Sequence, residues 1–222
     1  MIFLFEERPS DSSFVETIWR TQSEGAGSFT SVAVNHWEMV ITKQHGKTTL
    51  TVRGPETKAS TAHCPEDAEF FGIQFKLGIF MPHLPLKNLV NQSLTLSEAT
   101  SRSFWLNGSA WQFPDYENSD TFVNKLIHDG LLVREPIVDA ALQSQLPELS
   151  LRSIQRRFLQ ATGLTHSAIR QIDRARQAAA LLEQGMSILD TVHVTGYSDQ
   201  PHMTKALKHL LGQTPGQIAR LN

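Results

Sequence analysis

The chain of 222 residues is short of cysteine, of long apolar runs and of net charge, and each shortage narrows what it can be. Its single cysteine, Cys64, has no second thiol to pair with, so the chain is expected in a reducing cytoplasm rather than as a disulfide-stapled secreted fold. No apolar run approaches the roughly 20 residues of a membrane-spanning helix, and no membrane partner is expected. The apolar start Met1-Ile2-Phe3-Leu4-Phe5 is too short for a signal peptide and lacks both a basic leader and a small-residue cleavage site. GxSxG, P-loop and HExxH signatures are missing too, so the chain is not read as an enzyme. His36, His45, His63 and His83, with Cys64 and Glu69, show no HxH or HxxxH spacing; they read as scattered residues, and neither metal nor cofactor is expected.

What is present is a globular share of hydrophobic residues, 40%, and an uneven distribution of charge. The net charge of −2 hides a split. Up to Val133 there are 10 Lys and Arg against 15 Asp and Glu; from Arg134 onward there are 10 against 7. An acidic front and a basic back point to two domains with different partners.

The front half reads as strand. Trp37, Met39 and Ile41 alternate with Glu38, Val40 and Thr42, a polar turn follows at Lys43-Gln44-His45-Gly46-Lys47, and Leu50 and Val52 alternate with threonines. That is a hairpin, broken at Arg53-Gly54-Pro55. Glu69 to Phe75 reads as another strand with Phe71, Ile73 and Phe75 on one face. Short strands with turns between them imply a small sandwich or barrel. Pro82 to Val90 is read as a short helix, and a second helix is capped by Ser119 or Asp120, carries Phe122, Val123, Leu126 and Ile127, and ends at Gly130.

The back half is helical throughout. Pro136 suits a first helical turn before Ile137, Ala140, Ala141 and Leu142, and Pro147 stops that run. Ser150 caps Leu151 to Gln160, with Gly163 beyond its end. A long amphipathic segment runs from about His166 to Gln184. Ser187 caps a short helix holding Ile188, Leu189, Val192 and Val194, Asp199 caps another reaching Leu211, and Pro215 opens a tail helix. The order helix, turn, capped helix thus occurs twice, and a recognition helix needs this arrangement: one side packs while the polar side meets base edges. In the first motif Ile154, Phe158 and Leu159 are expected to face the core and Arg152, Gln155 and Arg156 the groove; Arg reads guanine and Gln reads adenine. Arg157, on the flank, suits a phosphate. In the second, Met203, Leu207 and Leu210 pack inward, Gln200, His202 and Lys205 face the groove, and Lys208 lies near phosphate. The long connecting helix, at ~1.5 Å per residue, would hold two reading heads ~28 Å apart, close to the ~34 Å repeat of the major groove.

Residues 150–222 resemble the DNA-binding domain of the AraC/XylS family of bacterial regulators. The likeness rests on Ser150, Gln155-Arg156-Arg157-Phe158, Thr162-Gly163, Arg174-Ala175, Leu181-Leu182, Gly185, Ser187-Ile188, Gly196-Tyr197-Ser198-Asp199-Gln200, Leu207-Lys208 and Gly212-Gln213-Thr214-Pro215. The resemblance implies double helix-turn-helix recognition of double-stranded DNA, with base contacts from Arg152, Gln155 and Arg156 and from Gln200, His202 and Lys205. The family's pattern is altered in the second motif at Thr191-Val192, Met203 and Ala206-Leu207-Lys208, which makes the first motif the principal reader of bases. The front half is similar, through His36 to Val40, Val52 to Pro55 and Phe71 to Gly78, to the sensory domain of some such regulators, which implies a β-rich, cupin-like effector domain.

The expected architecture is therefore α+β: a β-rich cupin-like domain over 1–118, a helical connector over 119–133, and an all-α double helix-turn-helix domain over 134–222. Besides DNA, the partners to look for are a small-molecule effector and a second copy of the chain. Trp37, Phe71, Phe75 and Trp105 are the candidate effector-lining residues, with Trp111 beside them. The competing reading is a small-molecule-binding or catalytic β-barrel whose helical tail is only structural.

Overall fold

A computed structural model describes residues 5–143, 145 and 148–220, so the expected helix stop at Pro147 and the apolar start at residues 1–4 lie outside the described residues. Within it, thirteen strands precede or flank seven helices. The strands are β1 (Glu6–Arg8), β2 (Val15–Ser23), β3 (Gly27–Ser31), β4 (Glu38–Gln44), β5 (Lys47–Arg53), β6 (Ser60–Cys64), β7 (Ala68–Phe75), β8 (Ile79–Phe80), β9 (Ser93–Thr95), β10 (Glu98–Thr100), β11 (Ser103–Leu106), β12 (Ser109–Gln112) and β13 (Val133–Arg134). The helices are α1 (Ser119–His128), α2 (Pro136–Leu142), α3 (Leu151–Thr162), α4 (His166–Glu183), α5 (Ile188–Thr195), α6 (Gln200–Leu211) and α7 (Pro215–Ile218).

The β-rich front and helical back follow the expected α+β plan, but the sheets stay open. Six strands form the main sheet in the order β1-β2-β7-β4-β5-β9, and the β3–β6 pair forms a separate two-stranded sheet. The expected hairpin is β4–β5, with Gln44 paired to Lys47 so that only His45 and Gly46 make the turn. Alternation then sorts the side chains onto two faces. In register, Ile18 meets Ile73, Met39 meets Ile73 and Val52, and Ile41 meets Phe71 and Leu50. All are buried and form the core-facing side of the sheet. The opposite side carries Trp19, Val40, Thr42, Thr51 and Phe70.

Several expectations are corrected. Pro82 to Val90 holds no full helix, only a three-residue 3-10 turn at Leu86–Asn88, because Pro85 precedes the turn and Leu89 already leaves helical geometry. α1 is not capped by Ser119 or Asp120: its N-cap is Asn118, and the Ser119 and Asp120 side chains receive Arg8, which ties β1 to α1. Leu159 does not join the core; it is 39% exposed, while Ile154, Phe158 and Ala161 carry the buried face of α3. On α5, Leu189 and Val194 are exposed and Thr191 and Thr195 buried.

In the helical half the caps expected at Ser150, Ser187 and Asp199 are present, and Thr165 caps α4 as well. Ser150 accepts from Ser153 N at 3.2 Å, Thr165 from Ala168 N at 3.2 Å, Ser187 from Asp190 N at 3.1 Å and Asp199 from His202 N at 2.7 Å. The two halves do not stand apart. β13 pairs with β8, and one cluster of buried side chains runs from the core face of the sheet through Phe122 and Leu126 of α1 into Phe158, Ile172 and Leu207. The last turn of α6 presents carbonyls that a helix end leaves without internal donors. The front half supplies donors: Ala33 N–H reaches Leu210 O at 2.7 Å and Ala59 N–H reaches His209 O at 2.8 Å. Asn35 Nδ2 adds a bond to Asp173 on α4 at 2.7 Å.

Candidate nucleic-acid interface

α3 begins at a side-chain cap, so its first turn projects side chains in a defined direction rather than fraying. Arg152, Gln155 and Arg156 are exposed there, and their side chains make no hydrogen bond or ion pair among the described residues. Arg157, one position on, is differently employed. Its Nε and one terminal nitrogen donate to the two carboxylate oxygens of Glu135 at 2.9 and 2.7 Å, a bidentate pair that fastens α3 to the start of α2. The flank position expected to hold a phosphate is thus already filled by a carboxylate, and Glu135 in turn caps α2 at Ile137 N.

On α6, Gln200, His202, Lys205 and Lys208 are all exposed, while Met203, Leu207 and Leu210 are buried as expected. His202 is held locally, its Nδ1 3.0 Å from Ser198 Oγ and its ring edge-on to Tyr197. Gln200, Lys205 and Lys208 make no polar side-chain bond among the described residues. α6 returns alongside residues 166–174 of α4, so its packing on α4, rather than the length of α4 alone, sets the separation of the two exposed faces. Two cations that sequence reasoning passed over belong to this surface. Arg170 and Arg174 lie one helical turn apart on α4, in one groove with His202 and Lys205. Their spacing of four was visible, but α4 was read only as a spacer.

The effector-lining set divides between environments. Trp37 and Phe75 stack on each other, ring centroids 4.1 Å apart, and are buried; Trp37 Nε1 donates to Ile79 O at 2.6 Å. Phe71 packs edge-on to Tyr116 at the border of a cleft with Arg20 and Lys43, Trp111 packs on Phe122 in the core, and Trp105 stands 49% exposed on β11. These residues thus lie in separate surroundings. A cavity of about 620 Å³ opens instead on the other face of the main sheet, under the β3–β6 pair. Trp19, Phe29, Val40 and Phe70 line it, with Thr21 and Arg53. Gly72 makes room for the Trp19 ring: a Cβ there would sit 2.1 Å from it. Trp19 Nε1 donates to Glu38 at 3.0 Å, and Arg53 bridges Glu38 and Glu56 at 3.4 and 3.3 Å. Burial pushes the Glu38 carboxyl above its usual range, against the pull of Arg53 and Trp19. Beside it, burial and then the charges of Arg176 and Arg53 hold His36 down to about 4, and its Nδ1 is 3.1 Å from Gln74 Nε2. Thr21 Oγ1 is buried and finds no partner among the described residues.

The other sequence candidates do not converge. Among the described residues no three of His, Cys, Asp and Glu come close enough to hold a metal ion, and His45, His63 and His83 are exposed. Cys64 is buried. Among the described residues no helix is long and apolar enough to cross a membrane.

Comparison with known proteins bears on the helical half. A family model described as a helix-turn-helix domain matches residues 147–220. The HTH-type transcriptional regulator RipA of Corynebacterium glutamicum is 31% identical over 87 residues, 38% of this chain and 26% of that protein. The HTH-type transcriptional regulator GlxA of Rhizobium meliloti is 32% identical over 84 residues, 37% of this chain and 26% of that protein. The chain thus spans about a quarter of the length of the curated relatives it matches. A crystal structure of apo ToxT K231A from Vibrio cholerae aligns over 96% of this chain and 99% of that one, at 10% identity and a TM-score of 0.42. The capped helix pairs and the family match together define a helix-turn-helix domain in the C-terminal third of the chain. The sequence motifs of that domain resemble those of AraC-type regulators.

Proposed function

We propose that the chain is a sequence-specific DNA-binding transcription regulator whose helical half, residues 134–222, reads DNA and whose β-rich half, residues 1–118, senses a small molecule. The observation that carries the DNA reading is the face of α3: Arg152, Gln155 and Arg156 are exposed, unpaired and set on a capped helix inside the matched domain. Arg and Gln forks of this kind read guanine and adenine edges in the major groove. Gln200, His202 and Lys205 on α6 face the same task, Lys205 at the edge of the groove it shares with α4, and Lys208 serves the backbone.

The sensing half takes its effector in the cavity under β3–β6. The ligand class is a flat, largely apolar molecule with one polar end, which would meet the Arg53 guanidinium in the cavity wall. The strands that cover this cavity lead directly to Ala33 and Ala59, whose N–H groups hold the last turn of α6. Occupancy of the cavity thereby has a short path to the second reading helix.

The decisive experiment is selection of bound duplexes from a random pool, followed by Arg156→Ala. We expect enrichment of a defined site, and a loss of ~1–3 kcal/mol with relaxed preference at one base pair in the variant. No enrichment and no gel shift at low salt would favour the β-rich binding protein with a structural tail.

A further inference from the structure

The connecting helix α4 carries more than a link between motifs. Arg170 and Arg174 line a groove of about 610 Å³ with His166 and Gln171 of α4 and with His202, Lys205 and His209 of α6. No carboxylate lines it, and neither Arg170, Arg174 nor Lys205 has an ion-pair partner among the described residues. The Arg174 guanidinium is steadied instead by Tyr197, 5.4 Å from its ring centroid. His166 and Ser167 also line the neighbouring groove that holds Gln155 of α3, so the first turn of α4 lies between the side chains of the two reading helices.

We infer that α4 is itself a DNA-contact element: Arg170 and Arg174, with Lys205, hold the phosphate backbone of the duplex between the two reading heads. The inference rests on the DNA-binding reading above and adds a site to it. Three unpaired cations in one concave surface are complementary to phosphate oxygens, and guanidinium forks take those oxygens bidentately. Such contacts fix register and orientation but carry no sequence information. They release condensed counterions, so each steepens the salt dependence of binding by about 0.9.

The test uses the full chain and two duplexes of equal length, the selected site and an unrelated sequence, titrated between low and moderate salt. Wild type is compared with Arg170→Ala/Arg174→Ala, with Arg170→Lys/Arg174→Lys, and with Lys87→Ala/Arg102→Ala, which removes the same charge from the β-rich half. The Ala pair on α4 is expected to flatten the log–log salt slope by about 2 and to weaken both duplexes by a similar factor, roughly tenfold or more. The Lys pair should retain the slope, and the distant pair should leave it unchanged. A slope in the α4 Ala pair equal to wild type, or a loss confined to the selected duplex, overturns the inference while leaving the DNA-binding reading in place. Wild type that binds neither duplex at low salt removes both. Thermal melting of each variant establishes that it is folded before its slope is read.

Discussion

Gly163 is where the end of α3 seats on the β-rich half, and its replacement gives a quantitative test of that docking. The residue follows α3 with φ 72°, and a Cβ added to it would lie 2.9 Å from the carbonyl carbon and oxygen of Leu86. Gly185, after α4, has an equally left-handed φ of 86° but nothing within 4 Å of its added Cβ. Gly185→Ala therefore reports the backbone term alone, about 1–2 kcal/mol. Gly163→Ala adds a collision with backbone that cannot rotate away, about 1–3 kcal/mol more by the measure of overpacked cores. For a chain of this size each kcal/mol lowers Tm by about 2–4 °C, so the two variants should differ by roughly 2–12 °C, with Gly163→Ala the lower. Chemical denaturation should order them in the same way. Equal losses would mean that α3 does not rest on Leu86.

Three further outcomes are expected. His36 is held at about 4 against an ordinary 6.5, so its neutral form stabilises the fold fully above pH 6.5 and that stability is lost as pH falls toward 4. The span corresponds to about 3 kcal/mol; His36→Gln should flatten this part of the profile in denaturation at pH 7 and pH 4.5, and an unchanged drop would refute it. Arg157→Ala should leave the salt slope of DNA binding unaltered because Glu135 occupies its guanidinium, whereas Lys208→Ala should flatten it by about 1; a flattened slope in the Arg157 variant would restore that residue to the phosphate contacts. Val40→Trp fills the cavity under β3–β6, so saturable fluorescence of the uncharged probe N-phenyl-1-naphthylamine should be lost while DNA binding without ligand persists. Retained probe binding would place the site elsewhere.

The helical half was legible in the sequence because its signals are local. Caps at Ser150, Ser187 and Asp199 act on N–H groups three residues away, and glycines at 163, 185, 196 and 212 take φ values that other residues avoid. The alternation that marks β4, β5 and β7 is local as well. It says that the two faces differ, not which of them encloses a cavity. Trp37, Phe71 and Phe75 drew attention as aromatics, yet they occupy the face closed off by α1 and its neighbours, whereas the cavity takes Trp19 from a strand that sequence reading missed. Residues such as Arg157 were ambiguous for the same reason: an exposed position on a helix becomes a phosphate contact or an ion pair according to what lies opposite, and Glu135 is 22 positions away. The sequence by itself determined the order of the helices in the helical half, the caps at Ser150, Ser187 and Asp199, and the exposed polar face of α3. Tertiary structure alone decided that Arg157 is occupied, that Arg170 and Arg174 join Lys205, and that Ala33 and Ala59 grip the end of α6, because each depends on long-range packing that spacing along the chain does not encode.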